Sequence, residues 1–286
     1  MISVVIPVRN GAPTISAQLE ALASQIDVTE GYEVIVADNG STDDTCEVVS
    51  AFRGSFPLRL IDASSVPGVS HARNQGVRSS RGNPVLICDA DDEVDPHWIS
   101  AMIRAHRSGA KLMGGVLDYA RLSTGAAMAW RGGDQAEVMV HRGFLPFAHG
   151  ACCGFDREVF DAIDGFDEAL QGGGDDIDFF WRAQQAGYDL TTVDGAVVHY
   201  RLRNDLPSMT RQAFHYGAAD PALYAKHRAH GMGRRSAGPI ARSIAWLVLR
   251  SYWLVAGAER RGEWLWSAAP QAGRIIGSVR SRVVYL

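Results

Sequence analysis

The residues best placed to do chemistry stand where apolar runs stop. Pro84-Val85-Leu86-Ile87-Cys88 ends abruptly in Asp89-Ala90-Asp91-Asp92, three carboxylates within four residues. So much negative charge at the end of a buried strand needs a compensating group. In extended backbone, residues i and i+2 point the same way, so Asp89 and Asp91 are expected to face one ligand and Asp92 to point elsewhere. Hard oxygen ligands of this kind suit Mg²⁺ or Mn²⁺, which take one or two carboxylates and complete their shell with phosphate and water. The alternative is an acidic turn that caps a helix near Pro96 to Ser108.

Three further segments carry candidate groups. Val36-Ala37-Asp38-Asn39-Gly40-Ser41-Thr42-Asp43 ends a strand and starts a helix. Ser41 or Thr42 can serve there as N-cap, and a carboxylate can also accept hydrogen bonds from a nucleobase imide or ribose hydroxyl. Arg73, in Gly68-Val69-Ser70-His71-Ala72-Arg73-Asn74-Gln75-Gly76, offers a planar donor fork for a diphosphate, or a plain surface charge. In Gly172-Gly173-Gly174-Asp175-Asp176-Ile177-Asp178, acidic residues favour a helix N-terminus without any catalysis. Three successive glycines are harder to explain that way, because each costs ordering entropy and marks a loop that flexes or passes close to a ligand. Asp178 can pair with Arg182 one turn on, which makes it structural and leaves Asp176 or Asp175 as the candidate base.

The elements that must position these residues follow βαβ grammar. Short β-branched runs at Ile2 to Ile6, Glu33 to Asp38, Leu58 to Ile61 and Pro84 to Cys88 alternate with helical patterns. The helical patterns run over Pro13 to Gln25, Thr42 to Phe52 and about Val69 to Ser80. A mostly parallel central sheet with helices on both faces is expected. From Lys111 to about Gly150 the pattern weakens into short strands and glycine-containing loops, and the acceptor side is placed there. Helices return near Arg157 to Ile163 and Asp175 to Ala186. After Pro221 the composition shifts to Arg, Trp, Ala and Leu with helical periodicity, so residues 1–220 are expected to form the catalytic domain and 221–286 a helical extension. Gly231 to Pro239 is the candidate linker.

Composition bounds the class. A chain of 286 residues, 47% hydrophobic and 21% charged, is ordinary for a globular protein and argues against disorder or a multi-span membrane protein. The opening Met1 to Pro7 is expected to be a first strand and not a signal peptide, and no run reaches the ~20 apolar residues of a spanning helix. Cys46, Cys88, Cys152 and Cys153 form no C-x-x-C pair, which fits a reduced, cytoplasmic setting. The net charge of −4 hides an asymmetry: residues 221–286 hold eleven Lys/Arg against Glu259 and Glu263, a balance of +9. A basic tail of this kind suggests an anionic surface as partner. At 100° per residue Ile240, Ile244, Leu247, Val248, Leu254 and Val255 share one helical face, with Arg242, Trp246, Arg250 and Trp253 opposite. Trp beside Arg suits the headgroup level of a bilayer, so residues 240–286 are expected to contact a membrane surface, a second copy of the chain, or the catalytic domain itself.

The motifs in order resemble those of family 2 inverting glycosyltransferases with the GT-A fold. They are Val4-Val5-Ile6-Pro7-Val8-Arg9-Asn10, Asp38-Asn39-Gly40-Ser41-Thr42-Asp43, Ala72-Arg73-Asn74-Gln75-Gly76, Asp89-Ala90-Asp91, Gly165-Phe166-Asp167-Glu168 and Gly174-Asp175-Asp176-Ile177-Asp178, covering residues 2 to about 203. The resemblance implies that Pro7, Arg9 and Asp38 line a nucleoside pocket and that Arg73 and Asp89 lie near the ribose and diphosphate. It further implies that Asp91 ligates the cation, that His199 completes the metal site, and that Asp176 is the general base. Two positions depart from the family pattern: the acidic pair is Asp175-Asp176 where Glu-Asp is usual, and Arg9 stands where an aromatic residue or His is common.

The expected reaction is transfer of a sugar from a UDP-, GDP- or dTDP-linked donor to a hydroxyl of a glycan or lipid-linked acceptor, with inversion and a divalent cation, Mn²⁺ or Mg²⁺. No nucleic acid partner is expected. A sugar-nucleotide nucleotidyltransferase would need a Gly-rich basic phosphate loop after the first strand, and Pro7-Val8-Arg9-Asn10-Gly11 is a poor one. A non-catalytic carbohydrate-binding relative would be expected to lose its carboxylates, yet Asp89, Asp91 and Asp176 are all present.

Overall fold

A computed structural model describes residues 1–131, 139–141 and 143–286; part of the weakly patterned stretch from Lys111 to Gly150 thus lies outside the described residues. The first half alternates as the sequence pattern requires: β1 (Ile2–Val8), α1 (Ile15–Ala23), β2 (Tyr32–Asp38), α2 (Thr45–Ala51), β3 (Leu58–Asp62), α3 (Val69–Ser79) and β4 (Val85–Cys88). Then come β5 (Glu93–Val94), α4 (Trp98–Arg107), β6 (Leu112–Asp118), α5 (Gly125–Trp130), β7 (Met139–Val140), β8 (Pro146–Phe147) and β9 (Cys152–Phe155). The rest is α6 (Arg157–Ala162), α7 (Asp175–Gln185), β10 (Leu190–His199), α8 (Leu206–His227), α9 (Ala237–Leu249) and α10 (Ala258–Arg280).

Eight strands form one sheet in the order β3-β2-β1-β4-β9-β6-β10-β5. The pairs β3/β2, β2/β1, β1/β4 and β6/β10 are parallel. Between them β9 runs antiparallel to both β4 and β6. That insertion joins the two parallel parts and was not legible in the sequence, because Cys152-Cys153-Gly154-Phe155 is too short to show a period.

Side-chain alternation explains how the sheet is covered on both faces. Ile2, Val4, Ile6 and Val8 of β1, with Val34 and Val36 of β2 and Leu86 of β4, enter one core beside Leu19, Leu22 and Trp98. Val5, Ile35, Val85 and Ile87 enter the opposite core beside Phe155, Phe179 and Phe180. Strands buried on both faces read as continuous apolar runs and stop where the chain leaves the sheet. The carboxyl ends of β1, β2 and β4 therefore lie together, with Val8 opposite Asp38 in register, at the edge where open α/β sheets collect ligands.

The division expected at 220/221 falls inside α8, which carries Pro221 within its helix. Asp205 caps this helix by accepting from the Ser208 amide at 2.8 Å, and Pro207 sits in the first turn where its missing N–H costs nothing. Helix α10 returns against α8 through small residues. A β-carbon on Gly273 would collide with the Phe214 carbonyl, one on Gly277 with the Ala218 carbonyl, and one on Gly217 with Pro270. Close backbone approach is what these glycines permit. By contrast α9 buries none of its residues. The single helical face expected from Ile240 to Val255 is broken at Arg250, where α9 ends and a 3₁₀ turn, Ser251–Val255, begins.

Candidate active site

Beyond Cys88 the backbone turns and does not continue as a strand. The i, i+2 alternation therefore ends at Asp89, and the expectation that Asp92 points elsewhere is not met. One carboxylate oxygen from each of Asp89, Asp91 and Asp92 lies within 4.8 Å of the others. Asp92 is buried; its Oδ1 accepts from the Arg201 amide at 2.8 Å, while its Oδ2 is buried without a hydrogen-bond partner. Burial first, then the neighbouring charges of Asp91 and Asp89, push the Asp92 carboxyl well above the usual carboxylate range. Asp89 is pushed up by burial too, with Arg73 opposing and Asp91 adding. Clustered hard oxygens with one buried acceptor unsatisfied fit a small divalent cation.

Arg73 occupies the junction of two acidic segments. From α3 its Nη1 donates to Asp175 at 2.6 Å and its Nη2 to Asp89 at 3.2 Å. The guanidinium is buried, 5.5 Å from the Phe166 ring centroid, and a β-carbon on Gly150 would meet it at 2.6 Å. It is held by this chain's own carboxylates, and it fixes their positions. Burial, and then Asp176, raise Asp175 to about 6 against the pull of Arg73.

The neighbouring aspartate has a different setting. Asp176 is half-buried; its Oδ2 accepts from the Gly150 amide at 3.1 Å and its Oδ1 from the Ile177 amide at 2.8 Å. The glycine run before it adopts positive φ at Gly172, Gly173 and Gly174, which β-branched or bulky residues would resist. Packing adds a second reason, since a β-carbon on Gly172 would meet His215 of α8 at 2.6 Å. Asp178 is fully buried and paired with Arg182 at 2.7 Å as expected, and it also meets His227 at 2.8 Å and Lys226 at 2.9 Å from α8.

At the end of β1 and β2, Pro7 is buried and Arg9 exposed. Asp38 accepts from the Gly40 amide at 3.2 Å and the Ser41 amide at 3.1 Å, closing the turn. Asn10, in the left-handed region at φ 56°, accepts from the Thr42 amide at 2.8 Å. These bonds tie the two loops into one rim.

A cavity of about 880 Å³ opens on Arg73, Asp89, Asp175 and Asp176. Pro7, Arg9 and Asp38 are not among its lining residues. Its other walls are Tyr119, Arg131, His149, Tyr200, Arg203 and Tyr216, with Trp266, Pro270 and Arg274 from α10. Sequence reasoning missed the two arginines after β10. Arg203 Nη1 meets Asp91 at 2.9 Å, and Arg201 Nε donates to the Asp91 carbonyl at 3.0 Å. Cations at alternate positions just past a strand end, in Arg201-Leu202-Arg203, were the available signal. His199 does not join the carboxylate group. Its Nδ1 meets Asp118 at 2.7 Å and its Nε2 lies 3.7 Å from Asp95, because the antiparallel pairing of β10 with β5 places it opposite Glu93.

A family model described as glycosyl transferase family 2 matches residues 3–164, and one described as glycosyl transferase family group 2 matches residues 84–269. Among curated proteins, glycosyltransferase AglE of Haloferax volcanii is 29% identical over 193 residues, covering 66% of this chain and 63% of AglE. The uncharacterized glycosyltransferase YfnE of Bacillus subtilis is 33% identical over 111 residues, covering 39% and 28%. Each match spans less than two thirds of the relative's own length. Among solved structures, mannosyltransferase PcManGT from Pyrobaculum calidifontis, in complex with GDP-Man and Mn²⁺, superposes with a TM-score of 0.65 at 20% identity, covering 98% of this chain and 86% of that one. TarS 1–349 of S. aureus, in complex with UDP-GlcNAc, gives 0.56 at 14% identity, covering 100% and 93%. At these identities the likeness establishes the fold alone, that of the GT-A type.

Proposed function

The chain belongs to glycosyl transferase family 2, and from that premise we propose that it moves a sugar from a nucleotide-diphosphate donor to an acceptor hydroxyl with inversion, using a divalent cation. The observation that carries this reading is the meeting of Asp89, Arg73 and Asp176 on one cavity, with Asp91 and Asp92 clustered beside Asp89. Asp89, Asp91 and Asp92 would hold Mn²⁺ or Mg²⁺, which when bound supplies Lewis-acid stabilisation of the charge on the departing diphosphate.

The remaining work falls to the chain's own residues. Asp176, held by the Gly150 amide and open to the cavity, takes the proton of the acceptor hydroxyl as its oxygen bonds to the anomeric carbon. The bond from that carbon to the diphosphate oxygen breaks on the opposite side, and the nucleoside diphosphate leaves. Such base assistance is worth roughly 10²- to 10⁴-fold. Arg73 keeps Asp89 and Asp175 in place from behind. Arg203, paired with Asp91 at 2.9 Å, places a cation at the diphosphate end. Pro7, Arg9 and Asp38, on the rim formed by the ends of β1 and β2, receive the nucleoside. His199, held by Asp118, supports the β10 end that delivers Arg201 and Arg203.

Residues 1–220 thus carry the transfer chemistry. Residues 221–286 wall the cavity through α10 and present an apolar surface: Ile244, Val248, Leu249 and Val255 are exposed, Val255 at 86%. No helix among the described residues is long and apolar enough to cross a membrane. With the +9 balance of the tail, that surface supports peripheral contact with an anionic membrane carrying a lipid-linked acceptor.

Release of nucleoside diphosphate from UDP-, GDP- and dTDP-sugars, measured with Mn²⁺ and with chelator, tests the reaction. Cation-dependent release from one nucleotide class is the expected result. Release of pyrophosphate from a nucleoside triphosphate and a sugar phosphate would instead make the chain a nucleotidyltransferase.

A further inference from the structure

The cavity contains a cation that no carboxylate among the described residues neutralises. Arg131 follows α5, and Trp130 anchors it: the indole lies so close to Gly262 of α10 that a β-carbon there would collide with it. The Arg131 guanidinium lies over the rings of Tyr119 and Trp266, 5.0 and 4.7 Å from their centroids. Aromatic faces attract a cation but accept no strong hydrogen bond, and Arg131 Nη1 is buried without a partner. Of the other arginines lining the cavity, Arg73 is committed to Asp175 and Asp89, Arg203 to Asp91 and Arg274 to Asp220, while Arg211 is exposed to solvent. A guanidinium left in this state inside a cavity calls for an oxyanion from outside the chain.

Its place identifies which oxyanion. Arg131 and Asp176 line the same cavity. Trp266, whose ring the Arg131 guanidinium covers, lies 6.4 Å from the Tyr216 ring, and a β-carbon on Gly173, just before the acidic pair, would lie 3.3 Å from that same Tyr216 ring. Asp176 itself accepts from the amide of Gly150, the residue that follows His149. The cation therefore lies on the side of the proposed base, where the acceptor must lie, and on the wall built by α5 and α10. The His149 Nε2 is likewise buried without a partner, and Tyr200 and Tyr216 offer rings and hydroxyls suited to a sugar. Resting on the transfer reading above, we infer that this wall is the acceptor subsite and that the acceptor is a sugar bearing an oxyanion, a carboxylate or a phosphate, selected by Arg131.

The test titrates glucose, glucuronic acid and glucose 1-phosphate into the full chain. Throughout, the chain is saturated with Mn²⁺ and the nucleoside diphosphate it binds best, so that the donor end is filled. At least one anionic probe is expected to bind about tenfold or more tightly than glucose, and the glucuronic acid and phosphate arms identify the source of the charge. The preference is expected to vanish in Arg131→Gln and to survive in part in Arg131→Lys, which keeps the charge but not the fork. Equal binding of all three probes by the unaltered chain overturns the inference, and that arm needs no variant to fold. A preference untouched by Arg131→Gln also overturns it, as does loss of nucleoside diphosphate binding in that variant, which would assign Arg131 to the donor. A chain that binds no nucleoside diphosphate contradicts the transfer reading itself. The three probes are then compared without it, and the same preference or its absence decides the role of Arg131.

Discussion

Two adjacent aspartates at the start of α7 have different surroundings, and the difference underlies the duties proposed for them. Both line the cavity, but Asp175 is buried with its carboxylate taken by Arg73, whereas Asp176 is half-buried and, among the described residues, accepts only from the Gly150 and Ile177 amides. Asp176→Asn is therefore expected to lower transfer by about 10²- to 10⁴-fold with the melting temperature unchanged, because the amide fills the space but takes no proton. Asp175→Asn weakens a buried ion pair, for which a stability loss on the order of 3 kcal/mol is expected. A transfer assay and a thermal melt on both variants check the assignment; the opposite pattern would move the base to Asp175. Asp89, Asp91, Asp176 and Asp178 were legible because local sequence alone places a carboxylate after an apolar run or in a helix's first turn. What was not legible depends on long-range geometry. The turn after Cys88 brings Asp92 into the group, and Arg201 and Arg203 reach it from more than 100 residues away.

At the scale of elements, α7 and α8 are joined by one charged knot. Asp178 of α7 meets Lys226 and His227 of α8 with no exposure to solvent. Burial pushes its carboxyl up, but the His227 hydrogen bond, Arg182 and Lys226 outweigh this and hold it at about 2. A folded-state value below the ordinary one means that Asp178 contributes stability fully above the ordinary carboxylate pKa of ~4, and that the contribution is lost as pH falls through about 2. Asp178→Asn is expected to cost on the order of 2 kcal/mol near pH 7 and to flatten the acid limb of stability between about pH 4 and 2. Urea unfolding of both proteins across that range reads the difference, and parallel pH curves would contradict the role given to this knot. The Arg182 half of the knot follows from i, i+4 spacing. The α8 half does not, since Pro207 and Pro221 disguise a helix of 22 residues. Likewise the βαβ half of the sheet was readable from its alternation, whereas β9, only four residues long, gave no sign of running antiparallel.

The whole molecule combines an acidic transfer centre with a basic, partly apolar tail. The expected Trp and Arg face exists in altered form: Arg250 lies 5.0 Å from the Trp246 ring centroid and 5.3 Å from that of Trp253, so these groups serve one another. It is the aliphatic side of α9 and the following turn that stands free. Sedimentation with vesicles of rising anionic lipid content is expected to retain the full chain, and Val248→Glu with Val255→Glu, both exposed, to release it. Equal, negligible binding by both proteins would remove the membrane reading. The central claim, a divalent cation at Asp89, Asp91 and Asp92 that serves a nucleotide-diphosphate donor, is tested most directly by the melting temperature of the whole chain with UDP, GDP or dTDP, with and without Mn²⁺. A ligand at 100 times its Kd adds about 2.7 kcal/mol. One diphosphate is expected to raise the melting temperature only when Mn²⁺ is present, and Asp91→Ala to abolish the rise; an equal rise without the cation, or in the variant, would contradict the account.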